Sequence, residues 1–288
     1  MIRFMRYRWV YFLLSALVLV PGMFYLLRFG LKPSIDFTGG ALIEVKLKKA
    51  VEMEELKKTV EKEIEVGSLQ TSGANTYLFK LKPIDKTKNE QIIKKLTDTY
   101  GSTEELRFET VGPILGVELL HKTLIGSVIA MVVILLYVAW AFKNVRFGVS
   151  AIIALLHDLL VVIGAFAILG HVLGIEVDVL FVTALLTTMS FSVHDTIIVF
   201  DRIRELQKKS TGLTFTEQVD QALTTTMGRS LNNSLTIIFM LLALFLLGGS
   251  SVKWFVFALL VGTISGAYSS PFVATPILYV WHELRDKK

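Results

Sequence analysis

The sequence predicts an α-helical integral membrane protein of six spans, with one folded α+β domain in the loop after the first span. Three observations predict it: how apolar the chain is, how its apolar residues are gathered, and where its charges fall. Hydrophobic residues make up 53% of 288 and mean hydropathy is +0.59, well above an ordinary globular chain. That mass is gathered into six runs near the roughly 20 residues a bilayer core requires. They are Trp9–Leu27, Leu124–Phe142, Phe147–Leu169, Val179–Phe200, Ser230–Leu247 and Trp254–Trp281. The last is longer than needed and carries Pro271, which predicts a kink or a change of helical form.

Charge orients the spans. Arg3, Arg6 and Arg8 precede the first, and Lys143 and Arg146 join the second to the third. Arg202, Arg204, Lys208 and Lys209 follow the fourth, and Arg285, Lys287 and Lys288 close the chain. The alternate connections, Gly170–Asp178 and Gly248–Lys253, are poor in Lys and Arg. The positive-inside rule then puts both termini in the cytoplasm. It divides the chain into residues 1–28 (cytoplasmic N-terminus and first span), 29–122 (extracytoplasmic domain), 123–282 (spans two to six) and 283–288 (cytoplasmic tail). The first span is too long for a cleavable signal and no small-residue cleavage site follows it. The net charge of +5 is this topological bias. No basic stripe interleaved with aromatics marks a nucleic-acid surface.

The loop from Arg28 to Lys122 is charged and alternating. Ala41–Leu47 alternates as a strand, Met53–Ile64 is apolar at Met53, Leu56, Val60 and Ile64, and Thr76–Leu81 is a second strand. A shorter strand falls near Ser68–Thr71, Ile92, Ile93, Leu96 and Tyr100 form a second helical stripe, and Glu105–Val111 ends the set. The order β-α-β-β-α-β is that of a ferredoxin-like split βαβ unit.

Ionisable groups inside the spans are the candidates for function, because each is costly at membrane depth. His157 and Asp158 lie about ten residues into the third span, about 15 Å deep at 1.5 Å per residue. In the fourth, Thr188, Ser192 and Asp195 share one stripe, and His194 shares a neighbouring one with Thr187 and Ser190. In the fifth, Arg229, Asn232, Asn233 and Thr236 share a face. The fourth and fifth spans run in opposite directions, so Asp195 and Arg229 fall at a common depth and are expected to meet. Spacing alone leaves that pair open between a structural ion pair and a titrating one. Gly262-x-x-x-Gly266 offers a small-residue face on which another helix can pack closely. Asp201, Arg202, Arg204 and Glu205 read as a solvated helix end. The chain has no Cys, no H-E-x-x-H spacing, no phosphate loop and no Ser/His/Asp set, so no metal, cofactor or enzymatic site is expected.

Several blocks resemble the SecF family of protein-export membrane proteins. Ser34-Ile-Asp-Phe-Thr-Gly-Gly40, with Asp36, Phe37, Gly39 and Gly40, resembles its D-F-x-G-G signature. Val111-Gly-Pro-Ile-Leu-Gly-Val-Glu-Leu119, with Gly112, Pro113, Gly116 and Glu118, resembles its V-G-P-x-x-G-x-E-L block. His157-Asp158, Val193–Glu205, Arg229–Thr236 and Leu246-Leu-Gly-Gly249 match later blocks in order. His194 stands where the family usually has Asn or a similar residue, and Asn232-Asn233 where it often has Thr-Ser. The resemblance implies half of a twelve-span bundle of the resistance-nodulation-division type, completed by SecD and acting with the SecYEG channel on preproteins. It implies the cytoplasmic (inner) membrane, surrounding lipid, no nucleic acid, and a proton-motive-force-driven role for Asp195 and Arg229. Two other readings remain beside it: a small-molecule or lipid exporter half of the same fold, and a structural subunit with no proton path of its own.

Overall fold

The structure, a computed structural model, describes residues 3–142, 144–209 and 212–286. Lys143, Lys287 and Lys288, charges used above for orientation, lie outside the described residues. The chain divides into two compact units, Met1–Lys32 with Gly126–Lys288, and Pro33–Ile125.

Among the described residues six helical stretches are long and apolar enough to cross a membrane. They are α1 (Arg8–Phe29), α5 (Pro113–Phe142), α6 (Val145–Leu173), α7 (Val179–Lys208), α8 (Phe215–Leu247), and α9 (Ser250–Ser269) continued by α10 (Thr275–Asp286). Local chemistry sets where several begin. Asn144 accepts from the Arg146 N–H at the start of α6, and Asp178 from the Phe181 N–H at the start of α7. Both satisfy donors that a helix N-terminus leaves orphaned.

Two spans start well before their apolar runs. α5 begins at Pro113, a residue preorganised for the first helical position, and not near Leu124. α8 begins at Phe215 and not near Ser230, because Thr214 and Glu217 form a reciprocal capping box. The added turns then bury Val219, Ala222 and Leu223. Arg229 consequently sits in mid-helix. At Pro271 the chain passes through a π-helical turn, Ser270–Ala274, between α9 and α10. A wide turn of this kind accommodates a residue that has no N–H to donate.

The smaller unit holds α2 (Ile35–Thr38), β1 (Gly40–Leu47), α3 (Met53–Glu61), β2 (Val66–Gly73), β3 (Thr76–Leu81), α4 (Lys86–Tyr100) and β4 (Thr103–Val111). The sheet order is β2-β3-β1-β4 with every neighbour antiparallel, the ferredoxin-like arrangement. Ile43 lies opposite Phe79 on one side and Phe108 on the other. Ala41, Ile43, Val45 and Phe79 from the strands and Leu56, Val60, Ile92 and Leu96 from the helices make one core. The stripes at Leu56/Val60 and Ile92/Leu96 are the reason both segments are helices.

The two signature blocks at the ends of this unit meet backbone to backbone. Ser34 caps α2, accepting from the Asp36 N–H, and buried Phe37 anchors the short helix. Gly39 (φ +72°) and Gly40 (φ +140°) then turn the chain into β1. A Cβ on Gly39 would lie 2.6 Å from Pro113 Cα, and one on Gly116 would lie 2.7 Å from the Gly39 nitrogen. The D-F-x-G-G and V-G-P-x-x-G-x-E-L residues are therefore two halves of one clamp, and glycine is required at positions where no side chain fits. Glu118, two residues past Gly116, is exposed and pairs with Lys122 at 2.7 Å.

Two predictions follow from this unit. Gly39→Ala combines strained backbone with a steric clash and should cost about 2–5 kcal/mol, most of a small domain's margin; yield and thermal unfolding measure it. Glu63 takes contacts from Lys88 at 2.9 Å and Lys95 at 2.5 Å. The two ammonium groups hold its carboxyl at about 2, below the usual carboxylate range. A lowered folded-state value means the stabilisation is present at neutral pH and is lost as pH falls from the ordinary carboxylate value towards 2. The melting-temperature gap between the parent and Glu63→Gln should be small at pH 7, because the site is exposed and screened. It should close across that acid window and shrink in high salt.

Candidate functional site

Asp158 on α6 and Asp195 on α7 are both buried in the helical unit, 2% and 6% exposed. Neither is paired with a Lys or Arg among the described residues. Each is held by hydroxyls. Asp158 accepts from Ser265 and Ser269 of α9, both at 2.6 Å, and its Oδ1 lies 3.0 Å from His157 Nδ1. Asp195 accepts from Ser234 of α8 at 3.3 Å, and Ser230, one turn earlier, lies on the same side of α8. A buried carboxylate without such donors would be far more costly.

The expected Asp195–Arg229 contact is not made. Arg229, Asn232, Asn233 and Thr236 do share a stripe of α8, but all four are exposed. Helix geometry gives the reason. Ser230 and Ser234 occupy the face of α8 turned to α7, and Arg229 precedes Ser230 by one residue, 100° round the helix. Sequence reasoning weighed the charge at 229 and passed over the i, i+4 serine pair beside it, which was the available signal.

The stripe Thr188, Ser192, Asp195 is buried throughout, and α9 lies against it. Gly262 and Gly266 make that approach possible. A Cβ on Gly262 would fall 2.1 Å from Thr188 Cγ2, and one on Gly266 would fall 3.4 Å from Ser192 Cα. The close approach carries Ser265 and Ser269 to Asp158. It also puts Ser270, at the π-helical turn, 2.9 Å from the hydroxyl of Thr196, next to Asp195. A second glycine contact, Gly22 of α1 against Gly164 of α6, carried no sequence motif to announce it. His194, by contrast, is exposed on α7.

Since α7 and α8 are antiparallel, stepping back one residue from Asp195 and one from Ser234 rotates both positions to the same flank of the pair. His194 and Asn233 therefore emerge together, at the depth of the buried carboxylate. At the end of α7, Arg202 pairs with Glu205 at 2.5 Å and Arg204 with Asp201 at 3.2 Å, all near the surface. Arg202 also reaches Thr225 of α8 at 3.3 Å. One further carboxylate that the sequence reading passed over is Asp220 on α8. It accepts from the Met5 N–H at 3.0 Å and so ties the chain's start to the bundle.

A six-helix bundle with buried carboxylates, bearing a ferredoxin-like domain between its first two spans, defines a class of membrane protein. Comparison makes the class particular. Residues 91–284 match the model of the protein export membrane protein SecD/SecF C-terminal region, and residues 24–51 match the SecD/SecF GG motif. The chain is 44% identical to the protein translocase subunit SecF of Thermobaculum terrenum, over 98% of this chain and 94% of that one. It is 38% identical to that of Anaerolinea thermophila, over 95% and 92%. The crystal structure of SecDF, a translocon-associated membrane protein from Thermus thermophilus, superposes with a TM-score of 0.87 at 31% identity. That match covers 98% of this chain and 39% of the SecDF chain. The chain belongs to the SecD/SecF family of protein-export membrane proteins. Membership assigns it to protein translocation, and its bundle has the resistance-nodulation-division type of fold.

The α7–α9 contact yields a direct test. Gly262→Ala should destabilise the bundle by about 1–3 kcal/mol through overpacking. Adding Thr188→Ala, which removes the nearest methyl, should recover part of that loss. Equal unfolding midpoints for the parent and Gly262→Ala in detergent would show that α9 does not sit this close.

Proposed function

We propose that this chain is the SecF-like half of an accessory complex that draws on the proton motive force to promote late steps of preprotein translocation. In this reading Asp195 is the group that gains and loses the proton. The observation that carries it is a carboxylate buried at membrane depth with a serine for a partner and no Lys or Arg paired with it among the described residues. Protonating such a group costs no broken ion pair, yet it changes which hydrogen bonds α8 makes to α7. That is a charge change acting on a helix contact. A proton moving down the potential supplies about 2.3 kcal/mol per 100 mV, enough for a modest helix rearrangement.

The exposed polar flank supports a partner subunit. Arg229, Asn232 and Asn233 on α8 and His194 on α7 would be expensive facing acyl chains. SecD, supplying a complementary carboxylate to Arg229, is the partner this chemistry fits, and the chain's 39% share of the solved SecDF leaves room for it. The complex would then work beside SecYEG in the cytoplasmic membrane. The Arg-rich N-terminus and α7 end favour both termini inside by the positive-inside rule, and the ferredoxin-like unit would then meet preprotein outside. Asn232, Asn233, His157, Thr188 and Ser192 take supporting roles in this proposal, as polar groups lining or packing the relay.

The reading is tested by proton-gradient-dependent release of preprotein from reconstituted vesicles, with the folded amount of each variant measured alongside. Asp195→Asn should insert and fold normally and lose the gradient dependence. Arg229→Ala should change the isolated chain's stability by no more than about 0.5 kcal/mol, as an exposed substitution does, and should still lose coupling. Full coupling in well-folded Asp195→Asn would leave a structural subunit whose partner carries the proton path.

A further inference from the structure

A cavity of about 420 Å³ lies among α1, α6 and α9, away from Asp195. Its walls are mostly aliphatic, among them Leu14, Leu17, Val18, Val261 and Ile264. Leu14, Leu17, Val18 and Ile264 are exposed, so the cavity opens on the outer, lipid-facing side of the bundle. Four polar residues also line it: Ser15, His157, Ser265 and Tyr268.

The hydrogens of these four groups are already committed. Ser265 donates to Asp158 at 2.6 Å, Ser15 to the Tyr268 hydroxyl at 3.4 Å, and Tyr268 to the Tyr11 carbonyl at 2.8 Å. Asp158 accepts from Ser265 on one oxygen and from Ser269 on the other, and His157 Nδ1 faces the first of these at 3.0 Å. With Nδ1–H donating to that oxygen, the neutral ring presents Nε2 as a lone pair. Nε2 has no hydrogen-bond partner among the described residues, on a ring 7% exposed. A buried, unsatisfied acceptor costs about 1–3 kcal/mol, and no partner among the described residues offsets it.

We propose that the cavity is a binding site for an apolar, single-chain membrane molecule carrying a hydroxyl, whose O–H donates to His157 Nε2. Among the described residues the one unpartnered polar atom at these walls is His157 Nε2, and as a lone pair it selects a hydroxyl over a carbonyl or an ester. No Lys or Arg lines the space, which disfavours an anionic head. The volume falls within the 300–1,000 Å³ typical of small-ligand pockets. A small ring movement lets Nε2 meet the ligand, since Asp158 keeps both serine donors if the Nδ1 contact lengthens. The site lies on α1, α6 and α9, away from Asp195, and it stands whether or not Asp195 titrates.

The test uses the full chain in phosphatidylcholine nanodiscs with two photoreactive probes, a diazirine-bearing hexadecanol and the matching hexadecane. Labelled peptides are mapped by mass spectrometry. The alcohol should label the Leu14–Val18 and Val261–Tyr268 segments about tenfold more than the hydrocarbon, the ratio one buried hydrogen bond confers. His157→Phe should bring the two probes to equal labelling there, with the hydrocarbon signal retained as evidence that the bundle is intact. Ile264→Trp, which keeps His157 and fills the space, should abolish labelling by both. Equal labelling of the parent by the two probes overturns the proposal. So does selectivity that survives His157→Phe, or alcohol labelling that survives Ile264→Trp.

Discussion

Two carboxylates sit inside an apolar bundle with serine hydroxyls and one imidazole as their partners, and the packing of the helices follows from keeping those partners in place. A carboxylate in hydrocarbon must be hydrogen-bonded, paired or protonated. Ser265 and Ser269 do this for Asp158, and Ser234 for Asp195. Hydroxyls at 2.6–3.3 Å stabilise a charge less firmly than a guanidinium does. They leave no buried cation stranded beside either carboxylate. A protein that needs two states of one bundle is better served by such partners than by a locked ion pair.

Hydroxyls are short, so they reach a carboxylate only if the helices come close. Glycine provides the closeness. Gly262 and Gly266 let α9 lie on Thr188 and Ser192, and Gly22 and Gly164 do the same between α1 and α6. Without an apolar driving force between helices in lipid, such contacts are a main source of association. The same segment of α9 then passes into the π-helical turn at Pro271, where Ser270 touches Thr196. Ser269 and Ser270, consecutive residues, thereby contact the Asp158 and Asp195 neighbourhoods respectively. Turns of this form recur at functional sites because they shift between packings at low cost.

The ferredoxin-like unit depends on a different use of glycine. Its entry and exit segments are pinned where Gly39 meets Pro113 and Gly116, so the sheet is closed at its base whatever the rest of the sheet does. The signature glycines Gly39, Gly40 and Gly116 are thus explained by steric exclusion and positive φ. The alternating strand β1, flanked by β3 and β4 and backed by two amphipathic helices, supplies the rest of that unit's stability.

The sequence by itself determined the six spans, the split βαβ order and two of the buried carboxylates, Asp158 and Asp195, since each rests on a local signal. Apolar run length, period-two and helical spacing, and the rarity of Asp in a span are all readable one segment at a time. It also carried the family resemblance. Helix starts were less legible: capping at Thr214 and Pro113 lengthened α8 and α5 beyond their apolar runs. What only the tertiary structure decided was who faces whom. Arg229 and Ser230 are adjacent in the chain and 100° apart on the helix, so one residue of rotation exchanges an ion pair for a serine clamp. That rotation is set by how α7, α8 and α9 pack together, not by the residues of α8 alone. The same holds for His157, whose orphaned Nε2 emerges once Asp158 has taken its serines from a helix about a hundred residues away. Spacing places side chains on a stripe, and the neighbouring helices choose which stripe is inside.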